Sequence, residues 1–281
     1  MAGLLLEGGA MRGLFTTGII DVFMENGISF DTIVGVSAGA AFGCNYKSGQ
    51  AGRALRYNLR FCKDPRYCSV RSLIKTGDIY GAEFCYHTIP DELDIFDREA
   101  FNASPIKFYA VCTDVETGEA VYHLCDKADD ECMEWIRASA SMPLVSKPVK
   151  IGDRLYLDGG MADSIPMEFI INQGCKKNVV ILTQPREYTK QKASKMPLFR
   201  FSLRKYPNMI KSIENRHINY NQSRELVFSE EKEGRAFVIC PDEPLPIKRI
   251  EHDPEVLRQV YELGRKTALR KLDDVKSFLN E

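Results

Sequence analysis

Ser37 stands between Gly35 and Gly39 in "GVSAG", Asp158 leads Gly159 and Gly160 in "DGG", and the stretch from Glu7 to Gly13 reads "EGGAMRG". Each has a chemical and a structural reading. A serine on a sharp turn from strand to helix exposes its Oγ as a nucleophile, and small flanking residues leave room for the adjoining strand and helix. The following helix N-terminus also points free N–H groups at incoming negative charge. The structural reading is close packing that needs small residues for steric reasons alone. A GxSxG pattern arises by chance in roughly one chain in ten of this length, so the pattern by itself leaves both readings open.

In "EGGAMRG", Gly8 and Gly9 let the backbone approach a ligand and expose successive N–H donors. Such donors suit an acyl-transfer oxyanion, where losing one costs ~10²–10³ in rate. Arg12 adds a positive charge beside them. A phosphate-binding glycine loop competes with this, but neither GxGxxG nor GxxxxGK[ST] occurs. A serine hydroxyl also needs a base. Of the histidines His87, His123, His217 and His252, none follows a core strand with glycine or acidic partners, and His123 lies within the strand "AVYHL". Asp158 instead ends the apolar strand "LYLD", at the same sheet edge as Ser37, although "DGG" alone reads as a simple turn.

Positioning these residues takes a particular set of elements. "GLLLE" reads as a buried strand running into glycines; Phe15, Ile19, Val22 and Phe23 recur at helical spacing until Gly27; "TIVGV" is a second buried strand, and small residues after Ser37 open another helix. Strand, helix, strand, helix in so short a span predicts a three-layer α/β/α sandwich around a mostly parallel sheet, with ligand sites beyond the carboxyl ends of the strands. Further strands are predicted at residues 106–112, 120–124, 154–160 and 178–183, and helices around "DDECMEWIRASA" and "SIPMEFIINQG". Near the end, Asp253 is a predicted N-cap and Pro254 a first helical residue, with Val256, Val260, Leu263, Leu272, Val275 and Leu279 along one packed face. Residues 1–183 are read as the core and 184–281 as a helical C-terminal extension packed on it.

The 281 residues are 44% hydrophobic and 27% charged, with a formal net charge of -1, which gives no global attraction to nucleic acid or anionic lipid. Nine cysteines without a CxxC pair or a Cys/His cluster predict reduced thiols and no metal site. The start lacks a basic n-region and no later run approaches the ~20 apolar residues that span a bilayer, so a cytoplasmic protein is expected. Residues 189–211 carry seven Lys or Arg and no Asp or Glu, interleaved with Phe199, Phe201, Leu203 and Tyr206. A solvated basic face is the plain reading; peripheral contact with anionic lipid through 190–211 is the alternative.

"EGGAMRG", "GVSAG", "ASASMP" (Ala138 to Pro143) and "DGG", in this order, resemble the patatin-like phospholipase family over about residues 3 to 183. The resemblance implies a Ser-Asp dyad. Ser37 is then the nucleophile and Asp158 its activator; Gly8, Gly9 and Ala10 form the oxyanion hole, and Arg12, Gly13, Gly35, Gly39, Gly159 and Gly160 support the site. Lacking accessory modules, the sequence looks most like the bacterial single-domain members. It departs from the family pattern at Ala10, often a third glycine, and at Ser146, where an aromatic often stands. The leading expectation is a hydrolase of lipid or lipid-like acyl esters, needing no cofactor and no metal. Acyl transfer to another acceptor on the same dyad, and an inactive relative that binds lipid or a protein partner, are the alternatives.

Overall fold

A computed structural model describes residues 1–280; Glu281, the last residue of the expected extension, lies outside the described residues. In chain order the elements are β1 (Ala2–Leu6), α1 (Gly13–Glu25), β2 (Thr32–Val36), α2 (Ala38–Lys47), α3 (Arg53–Phe61), α4 (Val70–Thr76), a π-helix (Phe84–Leu93) and α5 (Arg98–Ala103). Then follow β3 (Lys107–Asp114), β4 (Ala120–Leu124), α6 (Asp130–Ser139), β5 (Val149–Ile151), β6 (Arg154–Asp158), α7 (Met167–Asn172) and β7 (Lys177–Ile181). The chain closes with α8 (Met196–Ser202), α9 (Pro207–Lys232), β8 (Ala236–Ile239) and α10 (Pro254–Asn280).

Strands β3, β2, β1, β7 and β8 lie side by side and parallel in that order, while β4 and the β5–β6 hairpin are antiparallel additions to β3. Because the strands bury both faces, neighbouring side chains enter opposite layers. Leu4 and Leu6 pack with Phe15 and Ile19 of α1 and with Leu257 and Val260 of α10. Leu5 packs on the other side with Ile170 of α7 and with Tyr220 and Val227 of α9. The mostly parallel sheet flanked by helices on both faces is the architecture read from the sequence. The strand at its β8 edge comes from the C-terminal part of the chain.

Chain order along the sheet reverses at β1, whose neighbours are β2 and β7. Such a reversal opens a crevice beyond the carboxyl ends of the strands. Gly27 takes φ 65°, a left-handed conformation open to glycine, and ends α1 as its position predicts. Asp253 accepts from the Glu255 N–H at 2.9 Å, capping α10 at Pro254. The buried face of α10 differs from the expected one: it consists of Leu257, Val260, Tyr261, Gly264, Ala268, Val275 and Phe278, with Leu263 left exposed. The helix is rotated because it crosses α1 at glycine rather than leucine. A Cβ on Gly264 would fall on the Phe15 carbonyl, and one on Gly18 would come within 2.8 Å of the Arg265 nitrogen.

Gly264→Ala therefore forces α1 and α10 apart. Overpacking of this kind costs about 1–3 kcal/mol, read as a lower urea midpoint at unchanged slope. An unchanged midpoint would contradict the backbone-to-backbone crossing.

Candidate active site

The β3 strand brings Ser37 and Asp158 together. One edge of β3 is taken by β4; the other is shared end to end, by β2 as far as Val36 opposite Val111 and by β6 from Asp158 opposite Cys112. The carboxyl ends of β2 and β6 therefore meet head-on. Ser37 follows β2 directly, with φ 56° and ψ −122°, a left-handed conformation that a non-glycine residue holds only where its surroundings impose it. Gly35 and Gly39 permit the turn: a Cβ on Gly35 would lie 2.6 Å from the Gly39 carbonyl, and one on Gly39 would strike the Leu6 carbonyl.

The "ASASMP" stretch grips both partners. The Ser37 N–H donates to Ser139 Oγ at 2.9 Å, and the Ser139 hydroxyl donates to the Val111 carbonyl at 2.6 Å. Two residues on, the Ser141 carbonyl accepts from the Asp158 N–H at 2.8 Å. Asp158 is buried and its Oδ1 accepts from the Gly160 N–H at 2.7 Å. Burial pushes its carboxyl above the ordinary aspartate value. A hydrogen bond from Ser37, the charge of Arg216, the Gly160 N–H and the charge of Arg249 act in the opposite direction without cancelling it. Gly159 sits against Val111, and Arg216 Nε donates to the Gly160 carbonyl.

The loop after β1 covers the serine. A Cβ on Gly8 would stand 2.7 Å from the Ser37 Cβ, so backbone passes directly over the serine side chain. The N–H groups of Gly8 and Gly9 have no acceptor among the described residues. Ala10 accommodates its Cβ at φ 51°, another left-handed residue outside glycine. Gly13 opens α1 against Ala38 and Phe42 of α2, and the Arg12 side chain lies beside Gly9 with its Nε buried and unpartnered. The loop is fixed from below by buried Glu7, which accepts from the Thr183 N–H and the Tyr220 hydroxyl, each at 2.6 Å.

Two cavities meet at Ser37. The larger, about 250 Å³, is walled by apolar side chains such as Phe42, Tyr57, Tyr86, Ile89, Phe96 and Met133, and Ser146 lies on it. The smaller, about 40 Å³, is polar and contains Asp158, Arg12, Lys190, Arg216 and Arg249. No histidine lines either cavity. His123 stacks on Trp135 with ring centroids 4.2 Å apart, and the His217 and His252 rings meet the carbonyls of Glu214 and Cys62. Among the described residues no group of His, Cys, Asp and Glu could hold a metal ion.

A patatin-like phospholipase family profile matches residues 4–171, more than half of the chain. The chain belongs to the patatin-like phospholipase family. The family is one of lipid acyl hydrolases. A second profile, a domain of unknown function (DUF6363), matches residues 206–280. This patatin-like protein is similar to the uncharacterized protein YjjU of Escherichia coli K12, 27% identical over 297 residues covering 99% of this chain and 79% of that one. It is also similar to lysophospholipase NTE1 of Debaryomyces hansenii, 26% identical over 186 residues that cover 64% of this chain but only 11% of the fungal protein. The crystal structure of VipD from Legionella pneumophila shares the fold, with a TM-score of 0.50 at 14% identity over 97% of this chain and 67% of VipD.

Several residues at the site escape sequence reasoning. Ser139 lies inside "ASASMP", but its bond to the Ser37 N–H depends on where α6 ends. Arg216 and Arg249 come from distant segments without a local signature. Lys190, read as part of a basic face, turns inward and sets its Nζ 4.0 Å from the centre of the Tyr220 ring. Ser139→Ala leaves the Ser37 N–H and the Val111 carbonyl buried without this partner, a loss of about 1–3 kcal/mol. Equilibrium unfolding in urea checks it; wild-type stability would show that the Ser37 turn is held by something else.

Proposed function

We propose that this protein is a serine acyl-ester hydrolase in which Ser37 and Asp158 act as a dyad. The observation that carries the reading is the pairing of a strained, turn-borne serine with a buried carboxylate, under a loop with unpaired N–H groups. Asp158 takes the proton of the Ser37 hydroxyl as Oγ adds to the ester carbonyl carbon. The carbonyl oxygen becomes an oxyanion held by the N–H groups of Gly8, Gly9 and Ala10. Collapse expels the alcohol, which takes the proton from Asp158 and leaves an acyl-serine. Water then repeats the sequence, departing with the acyl group as a carboxylic acid and restoring Ser37.

The two cavities supply the substrate's orientation. An acyl chain fits the apolar one, on the helical side formed by α2, the π-helix and α6, while the alcohol part faces the polar one. Arg12, Gly13, Gly35, Gly39, Gly159 and Gly160 shape this arrangement without touching the reacting bond. Arg216 acts as a positioning residue through Gly160 and through its charge on Asp158. With all nine cysteines free, a reducing compartment suits the protein.

No helix among the described residues is long and apolar enough to cross a membrane. A lipid substrate is reached instead from the surface, and α8 is suited to this: Leu198 is 50% exposed and Phe201 68%, with Lys195, Arg204 and Lys205 nearby in sequence. Basic residues near an anionic surface contribute about 1 kcal/mol each. Vesicles containing anionic lipid should therefore retain the protein weakly at low salt and release it at high salt. Equal retention on neutral and anionic vesicles at low salt would contradict the contribution of these basic residues.

Hydrolysis of a medium-chain p-nitrophenyl ester tests the dyad. Ser37→Ala abolishes turnover and labelling by a fluorophosphonate, and Asp158→Asn lowers turnover by about 10²–10⁴. Because Asp158 works as the ionised carboxylate and its pKa is raised, kcat/KM falls as pH drops through a value above the ordinary aspartate range. Arg216→Gln removes a charge that holds that pKa down, so the acidic limb moves to higher pH. A labelled Ser37→Ala protein, or a limb that Arg216→Gln moves downward, would contradict the assignment.

A further inference from the structure

The small polar cavity beside Ser37 carries more positive charge than the dyad chemistry needs. Four cations reach it from four separate parts of the chain: Arg12 after the loop that follows β1, Lys190 after β7, Arg216 on α9 and Arg249 before α10. None of the four forms an ion pair among the described residues. The two carboxylates in the same wall are already engaged, Glu7 by Thr183 and Tyr220, Asp158 by Gly160 and Ser37. Arg12 Nε is buried without an acceptor, a condition that native structures seldom leave unanswered. Burial, together with the charges of Arg216, Arg12 and Arg249, lowers the Lys190 ammonium to about 7, against the charge of Glu7. A bound anion would relieve that repulsion.

Size and position narrow the anion. By the volume a water needs, the cavity holds about three waters' worth of ligand, enough for a phosphate but not for a bulky headgroup. It shares Ser37, Ala10, Met142 and Arg249 with the apolar cavity, so one molecule can place a chain in the first, an ester at Ser37 and an anion in the second. Phosphate offers several acceptor oxygens and up to two charges, matching guanidinium forks and an ammonium converging from different directions.

We propose that the cluster of Arg12, Lys190, Arg216 and Arg249 is a phosphate subsite that selects single-chain acyl esters of a small phosphorylated alcohol, such as a monoacylglycerol phosphate. This rests on the acyl-ester reading of Ser37 given above. Three of the four cations come from the chain beyond β7, so this selectivity is a contribution of the C-terminal part to the site.

Calorimetric binding to the full-length Ser37→Ala protein tests the subsite without turnover. Four probes are used: a monoacylglycerol phosphate below its micelle concentration, the neutral monoacylglycerol of the same chain, glycerol 3-phosphate and inorganic phosphate. The phosphorylated lipid should bind about tenfold or more tighter than the neutral one, the worth of a charge-assisted hydrogen bond, and tighter than either phosphate without a chain. Lys190→Gln and Arg249→Gln, each added separately, should remove most of that preference. Arg249 is exposed, so its replacement spares the fold. Equal binding of the two lipids, a preference that survives both substitutions, or inorganic phosphate binding as tightly as the phosphorylated lipid would overturn the proposal. Ester hydrolysis by the wild type is read separately, so loss of the acyl-ester reading and loss of the subsite give different results.

Discussion

Backbone strain at Ser37 is the constraint around which the rest of the structure is arranged. A left-handed non-glycine residue costs of order 1–3 kcal/mol and persists only when its neighbours leave no alternative. Here the neighbours are specific. β2 ends in Gly35 and Val36 against β3, α2 begins in Ala38 and Gly39 against the end of β1, and Ser139 takes the Ser37 N–H. The same Ser139 closes on Val111, and Val111 is followed on β3 by Cys112, the partner of Asp158. The serine turn and the carboxylate are thus referenced to two adjacent residues of one strand.

Charge is arranged around that turn with equal economy. Asp158 is buried deeply enough for its carboxyl to be raised, yet Arg216 and Arg249 lie near enough to limit the rise. Those cations belong to α9 and to the segment before α10, so the C-terminal part of the chain shapes the electrostatics of the proposed dyad as well as adding β8 to the sheet. Buried Glu7 links the three regions, since one carboxylate receives bonds from β7's end and from α9 while its backbone leads into the glycine loop.

Much of this was legible in the sequence where the signal is local. β1 and β2 are apolar runs closed by glycines, and β4, β6 and β7 fall where their buried or alternating residues put them; α6 follows its acidic first turn, with Asp129 accepting from the Cys132 N–H. Desolvation of Asp158 against N–H donation could not be weighed from sequence, because the depth of burial depends on α9 packing over β6. The helices between residues 48 and 105 carry no clear sequence signal: the π-helix carries Pro90, and α4 exposes Val70 and Ile74 in place of an apolar stripe. Those segments form much of the apolar cavity, which no short motif encodes. Likewise α9 is polar along most of its length, and nothing near Arg216 in sequence marks it as facing Asp158.

In the proposed reaction, Ser37 attacks an ester carbonyl under the Gly8–Ala10 loop with the acyl chain in the apolar cavity. A crystal structure of the protein treated with a long-chain alkyl phosphonofluoridate measures this most directly. Phosphorus bonded to Ser37 Oγ, the phosphonyl oxygen within hydrogen-bond distance of the Gly8 and Gly9 N–H groups, and the alkyl chain among Phe42, Tyr86 and Ile89 is the predicted result. An adduct on another residue, or one on Ser37 whose phosphonyl oxygen points away from the loop, would contradict it.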